Sequence, residues 1–370
     1  MNPKVRFAVT GMGIVSPLGT GKETNWQRLI RGGSAVQYEI KSEAFLARVQ
    51  DFNIPQNMRR LGMAFIAANE ALAESGVKNS DYLPRRIALS CGESKQDIFA
   101  KNFTLENDFP QQLKRVLDIH GETRCAAAAC ATGSLNIIQG CRMIEEGICD
   151  AALCGGAETS IHPLYIAAFR NIGVLSKHGI RPFDKNRDGF AIGEGAAFIV
   201  VEDIKRALLR GAKIYCEITG FAEGIFSNHP LNIDSCEKMA YIIKNAAKDE
   251  IPDYIHMHGT GTKANDLRES EAIVSVFSNI QNLSVSSTKA ATGHMLGVSG
   301  VVGAIFSILA MRNNIVAPTL NFRETDIKQG LNYTPVKAQK KSVNSSLSLS
   351  FGFGGQGAAL YFKRSAVNSF

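Results

Sequence analysis

The apolar positions of this chain fall into short runs closed by glycine, separated by stretches of helical period. Val5 to Val15 is almost continuously apolar and small, which predicts a buried strand, followed by the turn Ser16-Pro17-Leu18-Gly19 and a helical stretch containing Trp26. Leu61, Met63, Ala64, Ile66, Ala67 and Leu72 recur with helical spacing and predict an amphipathic helix over 60–76, and Arg86–Cys91 reads as the next strand. Residues 93–120 are polar and mixed and predict no element. Further buried strands are predicted at Ala151–Glu158, Ala196–Glu202 and Ala358–Phe362. The Gly- and Asp-dense segment Arg181–Gly195 reads as a structured loop between them.

Two pairs of segments echo each other. Phe7-Ala-Val-Thr-Gly11 is similar to Cys216-Glu-Ile-Thr-Gly220, and an apolar, glycine-spaced helix predicted over Thr132–Gly147 is matched by one over Val298–Arg312. Two related α/β halves, packed as layers of sheet and helix, account for both pairs.

Composition narrows the chemistry. Of 370 residues, 45% are hydrophobic and 20% charged, the balance of a soluble globular protein. No run reads as long enough to span a bilayer and no signal peptide is expected. The eight cysteines form no C-x-x-C pairs, so neither a zinc site nor a disulfide framework is expected and a reducing cytoplasm fits. The net charge of +7 is spread along the chain without interleaved aromatics, which argues against nucleic acid. Small basic clusters at Arg59-Arg60, Lys114-Arg115 and Arg206 to Arg210 are candidates for an acidic protein partner.

Candidate chemistry sits where runs end. Cys130 lies among small residues just before the Thr132 helix, where unpaired N–H groups and the helix dipole favour a thiolate; a buried structural cysteine is the competing reading. Tyr254-Ile-His-Met-His258-Gly-Thr-Gly-Thr262 alternates and then breaks into glycine, so His256 and His258 share one strand face. A metal pair is the competing reading, but no third ligand stands at a convincing spacing, and no metal is expected. Asp266 and Glu269 follow. Ser286 to Gly300 places Lys289 and His294 in a glycine-rich turn before a helix, and Ser348 to Gly357 is a glycine run able to offer backbone N–H groups to an anion. The glycines at 11 and 13 lack the third glycine of a dinucleotide fingerprint.

Taken in order, these blocks resemble the β-ketoacyl-acyl carrier protein synthases, the condensing enzymes of fatty-acid and polyketide assembly. The resemblance runs from Val9-Thr-Gly-Met-Gly-Ile-Val-Ser-Pro-Leu-Gly19 through Arg181-Pro-Phe-Asp and Gly193-Glu-Gly195 to Ser350-Phe-Gly-Phe-Gly-Gly355. It implies an α/β thiolase-like fold, layered α-β-α-β-α. Residues 1–205 would be the half with the nucleophilic cysteine, and 206–370 the half with the histidines, lysine and glycine-rich loop. It implies Cys130 as the acylated nucleophile, His258 and His294 as the catalytic histidines, and Lys289, Glu269 and Asp266 as their charged partners. Thr260 and Thr262 would touch the phosphopantetheine arm. Phe353 would gate the acyl pocket with Phe351 in the same loop, and its N–H would form an oxyanion hole with that of Cys130. No bound cofactor is implied, because the arm arrives on an acyl carrier protein. A homodimer, or a heterodimer with a related subunit, is the implied assembly.

The alternative, a non-catalytic partner subunit that sets chain length, would usually lack the cysteine present here. Thiolases need a second late cysteine, and none follows Cys236. Initiating synthases carry asparagine where His294 stands. The chain departs from the family pattern in a shortened stretch between Leu72 and Cys130, in the final loop Gly354-Gly-Gln-Gly357, where the family usually ends in asparagine, and in Ser227-Asn-His-Pro230, which lacks a threonine. The shortened stretch suggests a stand-alone synthase of a specialised pathway, such as one for an unusual lipid or a polyene.

Overall fold

A computed structural model describes residues 5–50, 52–77, 81–95, 108–227 and 236–365. The strands of its main sheet are β1 (Phe7–Ser16), β2 (Ile87–Gly92), β3 (Thr123–Arg124), β4 (Ala151–Glu158), β5 (Gly195–Asp203), β6 (Cys216–Ile225), β7 (Tyr254–His256), β8 (Ser284–Ser286), β9 (Ser345–Phe351) and β10 (Gln356–Lys363). The helices that matter for the site are α1 (Gln56–Ser75), α2 (Thr132–Glu145), α3 (Cys236–Ala247), α4 (Lys263–Val276) and α5 (Ser299–Asn313).

Spatial order is β8-β7-β9-β10-β6-β1-β5-β4-β2-β3, with the short Gly19–Thr20 strand paired to the end of β1. Strands β1 to β5 occupy one side and β6 to β10 the other, joined by a short antiparallel pairing in which Phe7 faces Ile218. The two sides repeat one plan. The strand at the join pairs antiparallel with its neighbour, which pairs antiparallel with the next, and the two outermost strands run parallel. A short helix, Ile204–Leu209, connects the two sides.

The sequence echo marks equivalent parts of this repeat. The register of β1 against β5 shifts between Val9 and Gly11, and that of β6 against β10 shifts between Ile218 and Gly220. The bulge therefore falls on the Val-Thr-Gly and Ile-Thr-Gly segments alike. A Cβ on Gly11 would lie 2.0 Å from the carbonyl oxygen of Ala71 in α1, and one on Gly220 would lie 2.0 Å from that of Ala246 in α3. Only glycine lets each outer helix lie this close to its strand.

Helices α2 and α5 pack on each other between the two sides, while α1 covers β1, β5 and β4 from outside and α3 covers β6 and β10. The expected α-β-α-β-α layering is thus present, with the two sheet layers hydrogen-bonded through β1 and β6. α5 is apolar on all faces because it is enclosed on all faces: every residue from Ser299 to Met311 is buried. This corrects one expectation. Leu296–Asn313 is long and apolar enough to cross a membrane by length and composition, but 83% of it is buried inside the fold, the environment of a core helix.

Three arginines of the basic clusters turn inward. Arg59 is paired to Glu194 at 2.6 Å, Arg210 to Glu202 at 2.6 Å, and Arg60 to Glu93 while lying 4.9 Å from the centre of the Phe109 ring. All three guanidinium groups are largely buried and serve packing rather than an acidic partner. The 60–76 pattern showed the apolar neighbours of Arg60; Glu194 and Glu93 lie far from Arg59 and Arg60 in sequence, whereas Glu202 is close to Arg210.

Candidate active site

The loop before α2 ends in a single tight turn, Ala129–Ala131, with Ala129 at a φ of 47°. Cys130 therefore sits at the N-terminal entry of α2, as its small neighbours predicted, and is only 3% exposed. Its Sγ and ring nitrogens of His258 and His294 lie within 4.8 Å of one another, all three residues being buried. The two imidazoles meet edge to face, with ring centres 5.3 Å apart.

Separate elements deliver these groups. β7 ends at His256, and Gly259, with a φ of 39°, turns the chain so that His258 leaves the strand beside the site. The Glu269 carboxylate fixes that turn by accepting from the His258 N–H at 2.6 Å and the Gly259 N–H at 2.9 Å. Lys289 donates to the His258 carbonyl, and its Nζ lies 3.5 Å from His258 Nδ1. Among the described residues no ion pair closer than 4 Å joins Lys289 to Glu269, so the carboxylate orders backbone while the lysine addresses the ring.

His294 is held from behind. Its Nδ1 accepts from the Leu296 N–H at 3.2 Å and lies 2.9 Å from Ser299 Oγ. With that nitrogen an acceptor, the neutral ring carries its proton on Nε2. The Lys289 ammonium beside Nδ1 of His258 selects the same tautomer there. Burial and then the Lys289 charge hold both imidazoles well below the usual histidine range, so both are neutral at pH 7. The site thus carries two neutral imidazoles, each suited to donate from Nε2.

His256 takes no part. It is buried, with Nε2 2.9 Å from Thr288 Oγ1, and a Cβ on Gly303 of α5 would meet its Nδ1 at 2.8 Å. The cluster that could hold an ion by distance is Cys130, His258 and His294 instead. Lys289 places a positive charge against that cluster, which disfavours a cation.

The remaining candidates separate into site and frame. Asp266 is fully buried and accepts from the Phe183 N–H at 2.7 Å and the Gly261 N–H at 3.2 Å, which ties the 181–195 loop to the glycine turn. Thr260 and Thr262 lie beyond His258, their hydroxyls 2.9 Å apart. Phe351 ends β9, buried, with its ring 6.3 Å from that of His258. Phe353 lies in the following turn, half-buried, 6.5 Å from the ring of Phe169. A Cβ on Gly352, the residue before it, would lie 3.1 Å from the Cys130 nitrogen, so this glycine run closes over the thiol.

Burial pushes the Cys130 thiol up, against the pull of the Lys95 and Lys289 charges and the Phe353 N–H. The thiolate expected from the helix terminus alone is therefore not the resting form; burial outweighs it. Sequence reasoning missed two groups here. Lys95 falls in the polar stretch to which no element was assigned, and Glu158 looked like the end of a strand. Glu158 accepts from Ser94 N–H at 3.3 Å, Ser94 Oγ at 2.5 Å and Gly297 N–H at 3.2 Å, and also from Ser160 Oγ. Of the three sequence departures, part of the shortened stretch and Asn228 to Pro230 lie outside the described residues, and Gln356 begins β10.

Known proteins resemble the chain along nearly its whole length. Residues 56–207 match the N-terminal domain of β-ketoacyl synthase and residues 215–323 its C-terminal domain. The 3-oxoacyl-[acyl-carrier-protein] synthase 2 of Synechocystis sp. is 32% identical over 98% of each chain. Among solved structures, a type II polyketide acyl-carrier protein in complex with its ketosynthase bound to the hexaketide superposes with a TM-score of 0.89 at 25% identity. That likeness covers 98% of this chain and 100% of the other. The ishigamide ketosynthase/chain length factor gives 0.88 at 28% identity, with the same coverage. With a buried cysteine at a helix start, two neutral histidines beside it and this likeness along nearly its whole length, the chain belongs to the β-ketoacyl synthase family.

Proposed function

We propose that this protein is an elongating β-ketoacyl-acyl carrier protein synthase that condenses an acyl group held on Cys130 with a malonyl thioester. The observation that carries the reading is the convergence of Cys130, His258 and His294 within 4.8 Å, with Nδ1 of both rings engaged from behind. Two neutral Nε2–H donors facing one thiol suit a reaction in which negative charge grows on a thioester oxygen.

In the first step the Cys130 sulfur attacks the carbonyl carbon of an acyl-carrier thioester. A new S–C bond forms, the bond to the carrier sulfur breaks, and the carrier thiol leaves with the proton that Cys130 gives up. The N–H groups of Phe353 and Cys130 receive the transient oxyanion. A malonyl thioester then enters and its C–CO2 bond breaks, releasing carbon dioxide and passing the electron pair to an enolate. His258 and His294 hold that oxygen by hydrogen bonds, each worth about 10²–10³ in rate. The carbanion attacks the acyl carbonyl, a C–C bond forms, and the Cys130 thiolate departs ready for the next acyl group.

Lys289 positions and polarises His258, while Glu269 and Asp266 order the backbone beneath it. Thr260 and Thr262 contact the phosphopantetheine arm, and Phe353 and Phe351 gate the acyl group. The partner is an acyl carrier protein, which brings the arm, so no resident cofactor is needed. We infer a dimer, with itself or with a related subunit, and a cytoplasmic location, which the eight free cysteines support.

Intact-mass spectrometry of the protein mixed with acyl-carrier thioesters tests the reading. An acyl adduct is expected on the wild type and none on Cys130→Ala. No adduct from any donor would favour the non-catalytic partner subunit, a reading that the presence of Cys130 and both histidines opposes.

A further inference from the structure

Acyl transfer needs a thiolate at a site where burial favours the thiol, so the charges around Cys130 decide how readily it reacts. Five titratable groups surround it: Lys289, His258, His294, Glu158 and Lys95. Both histidines are neutral. Lys289 is committed to the His258 carbonyl and shares its surroundings with the buried acids Glu269 and Asp266. Lys95 has no such commitment. Among the described residues no carboxylate lies within 4 Å of its Nζ, and its hydrogen bond is to the neighbouring Ser94 hydroxyl at 3.2 Å.

The geometry holds this ammonium in place. Glu158 accepts from both the N–H and the hydroxyl of Ser94 and from the N–H of Gly297, binding the 94–95 segment to the turn that follows His294. A Cβ on Gly297 would come within 2.6 Å of the Ser94 nitrogen, so the two segments touch backbone to backbone. From there the lysine reaches over two rings, with Nζ 4.8 Å from the centre of Phe169 and 5.4 Å from that of Tyr165. Phe169 in turn packs on Phe190 at 5.5 Å and on Phe353 at 6.5 Å. Phe190 stands 5.0 Å from the His294 ring, and Gly352, the residue before Phe353, lies against the Cys130 nitrogen. The ammonium is thus seated on the aromatic wall that flanks both His294 and the thiol.

We propose that Lys95 is a positioning residue of the Cys130 site, an ammonium with no carboxylate within 4 Å among the described residues, whose charge stabilises the thiolate needed for acyl transfer. The inference rests on Cys130 being the nucleophile. Its charge is the largest influence drawing the thiol back down against burial, ahead of Lys289, and it also helps to hold His294 neutral. Glu158 opposes it from nearby, its oxygens accepting from the Ser94, Ser160 and Gly297 donors.

The test is the alkylation rate of Cys130 by iodoacetamide, followed from neutral to about pH 10 in the full-length protein and resolved to Cys130 by peptide fragmentation. Lys95→Met should move the midpoint of the rate profile upward by about one pH unit, which is roughly a tenfold slower reaction at any pH below both midpoints. Lys95→Arg keeps the charge and should stay near the wild-type profile, a rescue that a purely structural role would not give. A Lys95→Met profile superimposed on the wild type overturns the proposal while leaving Cys130 as the acylated residue. Equal shifts in the Met and Arg variants overturn it as well. A wild-type protein that accepts neither iodoacetamide nor an acyl group on Cys130 would remove the nucleophile reading and this inference together.

Discussion

The Nζ of Lys289 lies 3.5 Å from Nδ1 of His258 and donates to the carbonyl of the same residue, so one ammonium fixes both the ring and the backbone that carries it. Removing it leaves the His258 tautomer unselected. Lys289→Met should slow carbon dioxide release from malonyl thioester by about tenfold to a hundredfold, less than loss of a donor itself. Comparison of that rate with the rate of Cys130 acylation checks it. An equal fall in both would mean that the lysine acts on the thiol rather than on His258.

His294 is held through Nδ1 by Leu296 and Ser299, which leaves its Nε2–H for the substrate. His294→Ala should therefore still take an acyl group on Cys130 but release carbon dioxide about 10²–10³ more slowly. Radiometric carbon dioxide release measures this, and an unchanged rate would remove His294 from the decarboxylation step.

Much of this site was legible in the sequence because its residues stand where a strand or helix pattern breaks into glycine. Cys130, His258, Lys289, His294 and Phe353 all sit at such breaks, and the repeated bulge at Val9–Gly11 and Ile218–Gly220 left a visible Thr-Gly echo. What escaped depends on distance through space. The alternation of His256 and His258 placed both on one strand face, but the strand stops at His256 and Gly259 redirects the chain. Lys95 lies in a segment without periodicity, and its meaning comes from Phe169 and Glu158, more than sixty positions away. The helix terminus and the burial at Cys130 were both readable; which of the two governs the thiol was not.

His256 gives a stability prediction. Burial, followed by the Lys289 charge, depresses its pKa to about 3, so the folded state keeps it neutral while the unfolded chain protonates it near 6.5. The unfolded state then binds more protons below that value, and stability falls as pH drops through this window. At pH 5 the loss from this residue alone is about 2 kcal/mol. In His256→Gln, chemical denaturation at pH 7 and pH 5 should show an acid loss smaller by about that amount. An unchanged acid loss would contradict the assignment.

Gly352 tests the closeness of the glycine loop to the thiol. A Cβ there would sit 2.8 Å from the Ala128 carbonyl oxygen and 3.1 Å from the Cys130 nitrogen, so Gly352→Ala must push the loop away from the nucleophile. Acylation of Cys130 should slow by at least about tenfold, since a displaced N–H no longer meets the oxyanion. Stopped-flow or quenched acylation with acyl-carrier thioester reads the effect. Wild-type acylation would show that Phe353 and its loop do not contribute.

The central claim is that Cys130 carries the acyl group to which the new carbon–carbon bond is made. Protein loaded with one equivalent of labelled acyl group and freed of excess donor should convert malonyl-carrier to β-ketoacyl-carrier. The label should pass from Cys130 into the product, with one carbon dioxide released for each label transferred. Carbon dioxide released while the label stays on Cys130, or the same product formed by Cys130→Ala, would contradict it.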